Sequence, residues 1–198
     1  MSLVERAKNI LLQPKQEWQV IDGEPTTVGD LYKSYIIPLS AVPPIAALIG
    51  WSVFGFKIPF VGTIRIPIGT LIGRCVLQYV LGLVMVYVLA LIIDALAPSF
   101  GGSKNQVQAL KVAAYSSTAS WVVGIFSLIP ALSWLGILGL YSLYLMYLGL
   151  PVLMKSPTEK ALGYTVVVVI AAIVLWIVVG VIVGSVFSFG AMGMGRMP

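Results

Sequence analysis

Five long runs of apolar residues, separated by short polar or turn-forming stretches, constrain this chain more than any other feature. Each run has about the 20 residues that an α-helix needs to cross a bilayer. Hydrophobic residues make up 59% of the 198 and charged residues 10%, and a soluble domain of this size could not bury so much apolar surface. The sequence therefore predicts an all-α integral membrane bundle of five transmembrane helices, over residues 35–56, 70–97, 109–129, 134–154 and 163–187.

A short amphipathic helix is predicted before the first run, over residues 2–13. Ser2 and Glu5 have the spacing of a capping box, and Pro14 ends the helix because a proline disfavours helical geometry in the preceding residue. We expect this helix to lie in the membrane interface or, alternatively, to pack on the protein's own loops. Trp18 is expected to anchor at the interface. One face carries Leu3, Val4, Ala7, Ile10 and Leu11, and the other carries Glu5, Arg6, Lys8 and Asn9.

The membrane domain is predicted to occupy residues 31–188, between a cytoplasmic N-terminal region (1–30) and a flexible tail rich in Gly and Met (189–198). Prolines inside the first run predict a kinked or broken helix. In the loop over residues 57–74, apolar and polar residues alternate at positions 64–66, which favours a short strand or a re-entrant piece. The last run is almost purely aliphatic and carries a G-x-x-x-G spacing at Gly180 and Gly184, typical of close helix contacts.

The distribution of Lys and Arg predicts the orientation, because cytoplasmic loops of membrane proteins carry an excess of these residues. With five crossings, eight of the twelve cations fall on the side of the N-terminus and four on the other side. We therefore expect the N-terminus in the cytoplasm and the C-terminus outside.

The densest polar cluster among the apolar runs lies between the second and third. Asp94 is the only acid deep in the apolar part of the sequence, and an intramembrane acid is a candidate for a functional site. The functional interpretation is a polar cavity that binds an ion, a headgroup or a partner peptide. The structural alternative is an ion pair between Asp94 and Lys111 that pins the turn between the two helices. The candidate site residues are Asp94, Lys104, Asn105, Lys111, Tyr115 and Ser116.

Several classes of function lack the residues that they need. The chain has no histidine and a single cysteine, Cys75, so it offers neither the usual general base nor a disulfide. No nucleophile, base and acid occur as a set, and Gly101-Gly102-Ser103-Lys104 lacks the spacing of a phosphate-binding loop. We expect no catalytic residues, no cofactor and no metal. The net charge of +5 indicates loops that meet anionic lipid headgroups rather than a nucleic-acid partner.

Three stretches resemble one family of membrane proteins. Asp30-Leu31-Tyr32 precedes the proline-containing first run, residues 92–117 read IIDALAPSFGGSKNQVQALKVAAYSS, and Gly163-Tyr164 opens the last run. These features resemble the bacterial branch of the Yip1 family, although Lys33-Ser34 stand where eukaryotic members carry Gly-Pro. The resemblance implies five membrane helices, a cytoplasmic N-terminus and an outside C-terminus. Eukaryotic relatives bind Rab-type GTPases in vesicle traffic, a partner that does not transfer to a bacterium.

Together these features predict a non-enzymatic Yip1-like protein of the bacterial inner membrane that organises lipids or recruits partners through its cytoplasmic face. The alternative is a transporter or channel for an ion or small solute, which would use the polar region near Asp94 and Lys111. Expected partners are the lipid bilayer, a protein at the cytoplasmic face and a second copy of the chain, packed through Gly180 and Gly184. The candidate partner-binding residues are Asp30, Leu31 and Tyr32.

Overall fold

Helices dominate the computed structural model, which describes residues 1–58, 62–64 and 67–194. Shorter 3-10 segments span Ala97–Phe100, Gly124–Leu128, Pro130–Leu140 and Thr158–Lys160. The α-helices are α1 (Leu3–Leu12), α2 (Pro14–Gly23), α3 (Val28–Leu31), α4 (Ile37–Ser40), α5 (Val42–Phe54), α6 (Ile68–Leu96), α7 (Gln106–Ser116), α8 (Thr118–Val123), α9 (Tyr141–Met154) and α10 (Ala161–Met194).

Four helical stretches in the described part of the chain are long and apolar enough to cross a membrane. They are Val28–Phe54, Ile68–Phe100, Pro130–Met154 and Thr158–Val186. The third predicted span, residues 109–129, is helical but is not among the four, because Lys111 and a run of hydroxyl side chains lower its hydropathy. The predominantly helical membrane fold is thus confirmed, and the fifth crossing stays a prediction.

A two-stranded antiparallel hairpin lies in the loop between the first two spans. Strands β1 (Phe56–Ile58) and β2 (Gly62–Ile64) pair with Phe56 opposite Ile64. The sequence predicted a short strand or a re-entrant piece here, and the strand is the outcome as far as Ile64; residues 65 and 66 lie outside the described part.

The first span is broken, as its prolines predict. A π-helical turn over Tyr32–Ile36 precedes Pro38, and the helix is interrupted at Ala41 before α5 begins. At this interruption the Ala41 N–H donates to the carbonyl of Leu39, so it is not the partner of the Ile37 carbonyl four residues before it. The phenol of Tyr79 on α6 donates to the carbonyl of Ile37 at 2.9 Å, so the neighbouring helix satisfies the backbone at the break.

Helix α7 forms the centre of the bundle, since every side chain from Ala109 to Ser116 is buried. It packs between α6 and α9. Further along this segment the backbones approach closely: a Cβ on Gly124 would lie 2.5 Å from the ring of Pro43 on α5, and one on Gly50 would lie 2.2 Å from the carbonyl oxygen of Ser127. The first half of the third predicted run is therefore a buried helix, whereas Val122, Ile125 and Ile129 in its second half are exposed.

Helices α1 and α2, here called the N-terminal hairpin (residues 3–23), fold back against the bundle. The predicted capping box is present: Glu5 N–H donates to Ser2 Oγ at 3.2 Å, and Ser2 N–H donates to Glu5 Oε2 at 2.9 Å. The predicted faces are partly wrong, because Val4 is 72% exposed whereas Arg6 is buried. Trp18 is fully buried between helices, so it is not the interfacial anchor that the sequence predicted.

Helix α10 lines the outside of the bundle and ends at Met194 in the described part of the chain. Among the described residues, no other part of the chain comes within 4 Å of a Cβ placed on Gly180 or Gly184, so this face is open within the described monomer. The predicted tail over 189–198 overlaps the helix as far as residue 194, and its last four residues lie outside the described part.

Candidate functional site

A buried charged cluster ties the N-terminal hairpin together. Arg6 Nη1 donates to Glu17 Oε1 at 2.5 Å, and Nη2 donates to the carboxylate of Glu24. Arg6 is 6% and Glu17 5% exposed. Burial opposes the charge on Arg6, but the hydrogen bond to Glu24 and the nearby carboxylates outweigh it and hold the pKa of Arg6 above its usual value. The guanidinium also lies 5.7 Å from the ring centre of Tyr115 on α7, a cation–π distance.

Lys111 of α7 holds the end of α2. Its ammonium donates to the carbonyls of Ile21 at 2.8 Å and Glu24 at 2.7 Å. The last carbonyls of a helix have no partner within it and favour a cation, so a buried lysine is well matched to this position. Two neighbouring side chains contact Asp22: Gln108 donates to its carboxylate at 3.1 Å, and Lys155 forms an ion pair with it at 2.5 Å.

An aromatic cluster, formed by Trp18, Tyr35 and Tyr115, lies next to the charged cluster around Arg6. The Trp18 ring packs edge-on to Tyr115 at 6.3 Å and directly over Gly149 of α9, where an added Cβ would lie 2.6 Å from the indole. Tyr35 lies 4.6 Å from Tyr115, and its hydroxyl is hydrogen-bonded to Thr118 at 2.7 Å. The glycine on α9 and the large rings on α2 and α7 are therefore complementary in shape.

A polar cavity of about 300 Å³ opens between the hairpin and α7. Its polar lining can donate hydrogen bonds from two cations and several hydroxyls, while Glu24 supplies one carboxylate. Within the described residues, no three His, Cys, Asp or Glu side chains are grouped to hold a metal ion. The lining comprises Met1, Ser2, Leu3, Arg6, Glu24, Pro25, Thr26, Leu31, Ser34, Tyr35, Lys111 and Tyr115.

The predicted site residues separate into different places. Lys111 and Tyr115 line the polar cavity. Asn105 is the N-cap of α7, where its side-chain oxygen accepts from the Gln108 N–H at 3.1 Å. Lys104 is exposed in the preceding loop, and Ser116 is fully buried with a hydroxyl that has no hydrogen-bond partner among the described residues.

The expected ion pair between Asp94 and Lys111 is absent. Lys111 instead binds the two carbonyls at the end of α2, a partner that the sequence analysis did not consider. One carboxylate oxygen of Asp94 is buried and accepts no hydrogen bond from the part of the chain that the structure describes. Tyr164 lies nearby, but its hydroxyl donates to the carbonyl of Ile93. Asp94 is thus separate from the cavity that Lys111 lines.

Most of the D-L-Y motif makes contacts within the protein. Thr27 caps α3: the Asp30 N–H donates to Thr27 Oγ1 at 3.1 Å, and the Thr27 hydroxyl donates to the Asp30 carboxylate at 2.6 Å. Leu31 is 2% exposed, and the Tyr32 hydroxyl donates to the Leu83 carbonyl at 2.8 Å. Of the three residues only Asp30 is exposed, and their role as partner-binding residues stays a prediction.

Sequence reasoning missed Arg6, Glu17, Trp18 and Glu24 as parts of the site. One signal for Arg6 was available, because it lies three residues after Leu3 and four before Ile10. That spacing places Arg6 on the buried face of α1. The acids that neutralise it lie on α2 (Glu17) and directly after its end (Glu24), and no local pattern in α1 indicates them.

A second cavity, of about 360 Å³, lies at the proline break in the first span. Amide and hydroxyl groups from α6 and α8 face Pro43 and Pro44 across it, and Asp94 is not part of its lining. It is lined by Ser40, Pro43, Pro44, Gln78, Tyr79, Gly82, Met85, Val86, Leu89, Ser117, Ser120, Trp121, Trp176 and Val179.

Replacing Gly149 by alanine is expected to displace the Trp18 ring, because the new methyl group would lie 2.6 Å from the indole. Overpacking of this kind costs about 1–3 kcal/mol. In detergent micelles, the emission of Trp18 is the part of the tryptophan fluorescence that a Trp18→Phe variant lacks. A red shift of this emission would report the displacement. Gly136→Ala is the control, since nothing lies within 4 Å of its added Cβ. An unshifted spectrum for Gly149→Ala would contradict this packing.

Comparison with known proteins agrees with this architecture. The Yip1 domain model matches residues 8–192, a range that includes most of the N-terminal hairpin and all four apolar spans. Proteins named "Inner membrane protein YohC", from Escherichia coli strains K12 and CFT073, are each 27% identical over 157 residues, covering 77% of this chain and 80% of the relative. No solved structure matches the chain. The chain therefore belongs to the Yip1 domain family, as its D-L-Y motif and central stretch predict.

Proposed function

We propose that this chain is a non-enzymatic, multi-pass protein of the bacterial inner membrane that organises lipids or recruits partners through its cytoplasmic face. The carrying observation is that the N-terminal hairpin is docked on α7 and α9 through Lys111 and Trp18. A docked hairpin presents its outer face in a defined orientation. The names of the two Escherichia coli relatives support the inner-membrane location.

The outer face of the hairpin has the chemistry of a lipid-binding surface. Val4, Lys8 and Leu12 follow one another at four-residue spacing, with Val4 72% and Leu12 69% exposed. Lys8 and Lys15 are exposed as well. Apolar side chains beside cations favour a surface of anionic lipid, and this face differs from the one that the sequence predicted for the same helix.

Clustering of anionic lipid in vesicles tests this proposal. Energy transfer between two labelled phosphatidylglycerol probes is expected to rise when the protein is reconstituted, and to fall back with the double variant Lys8→Glu, Lys15→Glu. The matched control, Lys33→Glu with Lys104→Glu, changes the net charge equally away from the hairpin. Transfer equal to that in empty vesicles for the wild-type protein would reject the lipid-organising role.

The fifth crossing belongs to the same proposal. Helices α7 and α8 with the 3-10 segment Gly124–Leu128 run for about 35 Å at 1.5 Å per residue, which is enough to cross the hydrocarbon. The polar side chains of Lys111, Ser116 and Thr118 can be tolerated in the membrane because the neighbouring helices bury them.

We expect reporters fused to the two ends to fall on opposite sides of the membrane. A reporter active only in the cytoplasm should work at the N-terminus, and one active only outside should work at the C-terminus, because an odd number of crossings separates the ends. Each fusion is checked against the opposite reporter at the same position. Both ends on one side would show that the α7–α8 segment does not cross.

The cavity at the proline break favours a second candidate, a transporter or channel for a small solute. Broken membrane helices beside polar side chains form many transport sites, and Gln78 and Ser117 line this cavity. Flux into liposomes is the test, with Gln78→Leu compared with Asp94→Asn. Loss of flux in the first variant alone would support transport through the cavity, and flux equal to empty vesicles for the wild-type protein would remove this candidate.

A further inference from the structure

A groove of about 580 Å³ lies at the tip of the N-terminal hairpin, where α1 turns into α2 against the first turn of α9. The Tyr141 hydroxyl donates to the Leu11 carbonyl at 3.0 Å and fixes the tip to α9. Tyr141 and Tyr144 form a tilted aromatic pair with ring centres 5.5 Å apart. The lining contains one cation and no acid: Leu12, Gln13, Pro14, Lys15, Gln16, Tyr141 and Tyr144.

The contacts along the hairpin place this groove at the middle of a membrane span. Asp22 at the end of α2 pairs with Lys155 after α9, Trp18 packs on Gly149, and the tip meets Tyr141. Helix α2 therefore runs parallel to α9. At 1.5 Å per residue, the tip lies about 20 Å along α9 from Met154, well within the span Pro130–Met154.

The two sides of the bundle differ in polarity at this depth. On α10, Leu162, Ile170 and Val186 are all more than half exposed, so its apolar outer surface extends for about 36 Å. On the hairpin side, Lys15 and Gln19 are exposed. The hairpin surface is therefore mixed, because Leu12 and Val20 are exposed beside these polar side chains. Beyond the hairpin tip, the outer surface is the apolar 3-10 segment Pro130–Leu140, about 22 Å long at 2.0 Å per residue.

The difference in apolar length between the two sides of the bundle has a physical consequence for the bilayer. A lysine and glutamines in hydrocarbon would be costly, whereas a bilayer can thin locally for a fraction of a kcal/mol per ångström. Headgroups on the hairpin side would then reach the tip, where tyrosines are well suited to the boundary between lipid and water.

We propose that the groove at the hairpin tip binds the headgroup of an anionic phospholipid and holds one leaflet at the level of Tyr141 on that side of the bundle. Lys15 faces the lipid phosphate, and both the tyrosine pair and Leu12, which is 69% exposed, pack against the headgroup and glycerol region. This site rests on the proposed lipid-organising role and names the lipid class that the hairpin recognises.

Lipid selectivity in bilayers tests the site. Nitroxide-labelled phosphatidylglycerol and phosphatidylcholine are compared for the fraction immobilised by the protein. One cation near the membrane surface favours an anionic lipid by about fivefold, so Lys15→Gln is expected to reduce the preference for phosphatidylglycerol by about that factor. Lys104→Gln, in an exposed loop, should leave it unchanged. Equal preference in the wild type and Lys15→Gln would overturn the site, as would displacement of the lipid by millimolar inorganic phosphate.

Depth measurements test the position of the leaflet independently. In a Cys75→Ala background, nitroxides are placed at Leu12→Cys and, as a reference within the apolar surface of α10, at Ile170→Cys. The label at Leu12 should be accessible to a water-soluble nickel chelate, and the label at Ile170 to oxygen. Equal burial of both labels in hydrocarbon would overturn the proposal. If lipid clustering persists while selectivity is independent of Lys15, the site fails but the lipid-organising role stands.

Discussion

Replacing Arg6 by alanine is expected to lower the free energy of unfolding by about 3–5 kcal/mol, the usual cost of removing one member of a buried ion pair. The substitution would leave the carboxylate of Glu17, which is 5% exposed, without its guanidinium partner. It would also remove the cation from the ring of Tyr115. Equilibrium unfolding in detergent micelles measures the change.

Two companion variants separate charge burial from general damage. Glu24→Gln should cost much less than Arg6→Ala, because the Glu24 side chain is 42% exposed. Replacing both partners, with Arg6→Met and Glu17→Leu, should recover most of the stability, since an apolar pair leaves no buried charge unpaired. A small effect of Arg6→Ala, or no recovery in the double variant, would contradict this account of the cluster.

Alanine at Gly50 is expected to destabilise the bundle by about 3 kcal/mol, at the upper end of the usual cost of overpacking. The added Cβ would lie 2.2 Å from the Ser127 carbonyl oxygen and 2.8 Å from that of Leu128. Both neighbours are backbone atoms, which cannot rotate away as a flexible side chain would. The first span would have to separate from the segment that contains Ser127.

Gly82→Ala and Gly69→Ala are matched controls, because nothing lies within 4 Å of a Cβ at either position. Both glycines belong to α6, where alanine is expected to stabilise by about 0.5–1 kcal/mol through its higher helix propensity. The sign of the effect therefore distinguishes close packing from a general response to glycine replacement. Stabilisation by Gly50→Ala would refute the close approach of the two backbones.

The local elements were predictable because they depend on residues near in sequence. Apolar length identifies the four spans, the Ser2–Glu5 spacing identifies the capping box, and Pro38 with its neighbours identifies the broken first helix. In each case the residues that determine the structure lie within a few positions of one another or within one helix. Physical rules for helix ends and for membrane length therefore apply directly.

The site was less predictable because its partners come from distant parts of the chain. Lys111 lines the polar cavity, but the partner expected for it, Asp94, is a residue near it in sequence. The observed carbonyl acceptors, at Ile21 and Glu24, lie some 90 residues away. From the sequence, Trp18 is as consistent with an anchor at the membrane interface as with a buried side chain. It is buried because Gly149, on another helix, leaves room for its ring.

The third predicted run shows that hydropathy does not indicate whether a segment is surrounded by protein or by lipid. Its polar side chains make it less apolar than the four spans, yet the first half of the segment is buried by other helices. A sequence pattern records which side chains are polar, but it does not record whether protein or lipid surrounds them. The number of crossings therefore depends on tertiary packing, which the reporter fusions address.

The docking of the N-terminal hairpin on α9 is the central claim, and one distance in a native-like bilayer tests it most directly. Nitroxides at Gln16→Cys and Tyr144→Cys, in a Cys75→Ala background, would lie on two walls of the same groove. Pulsed electron paramagnetic resonance is expected to give a single short, narrow distance between the labels. A broad distribution centred at long distance would mean that the hairpin is not docked, and would contradict the account.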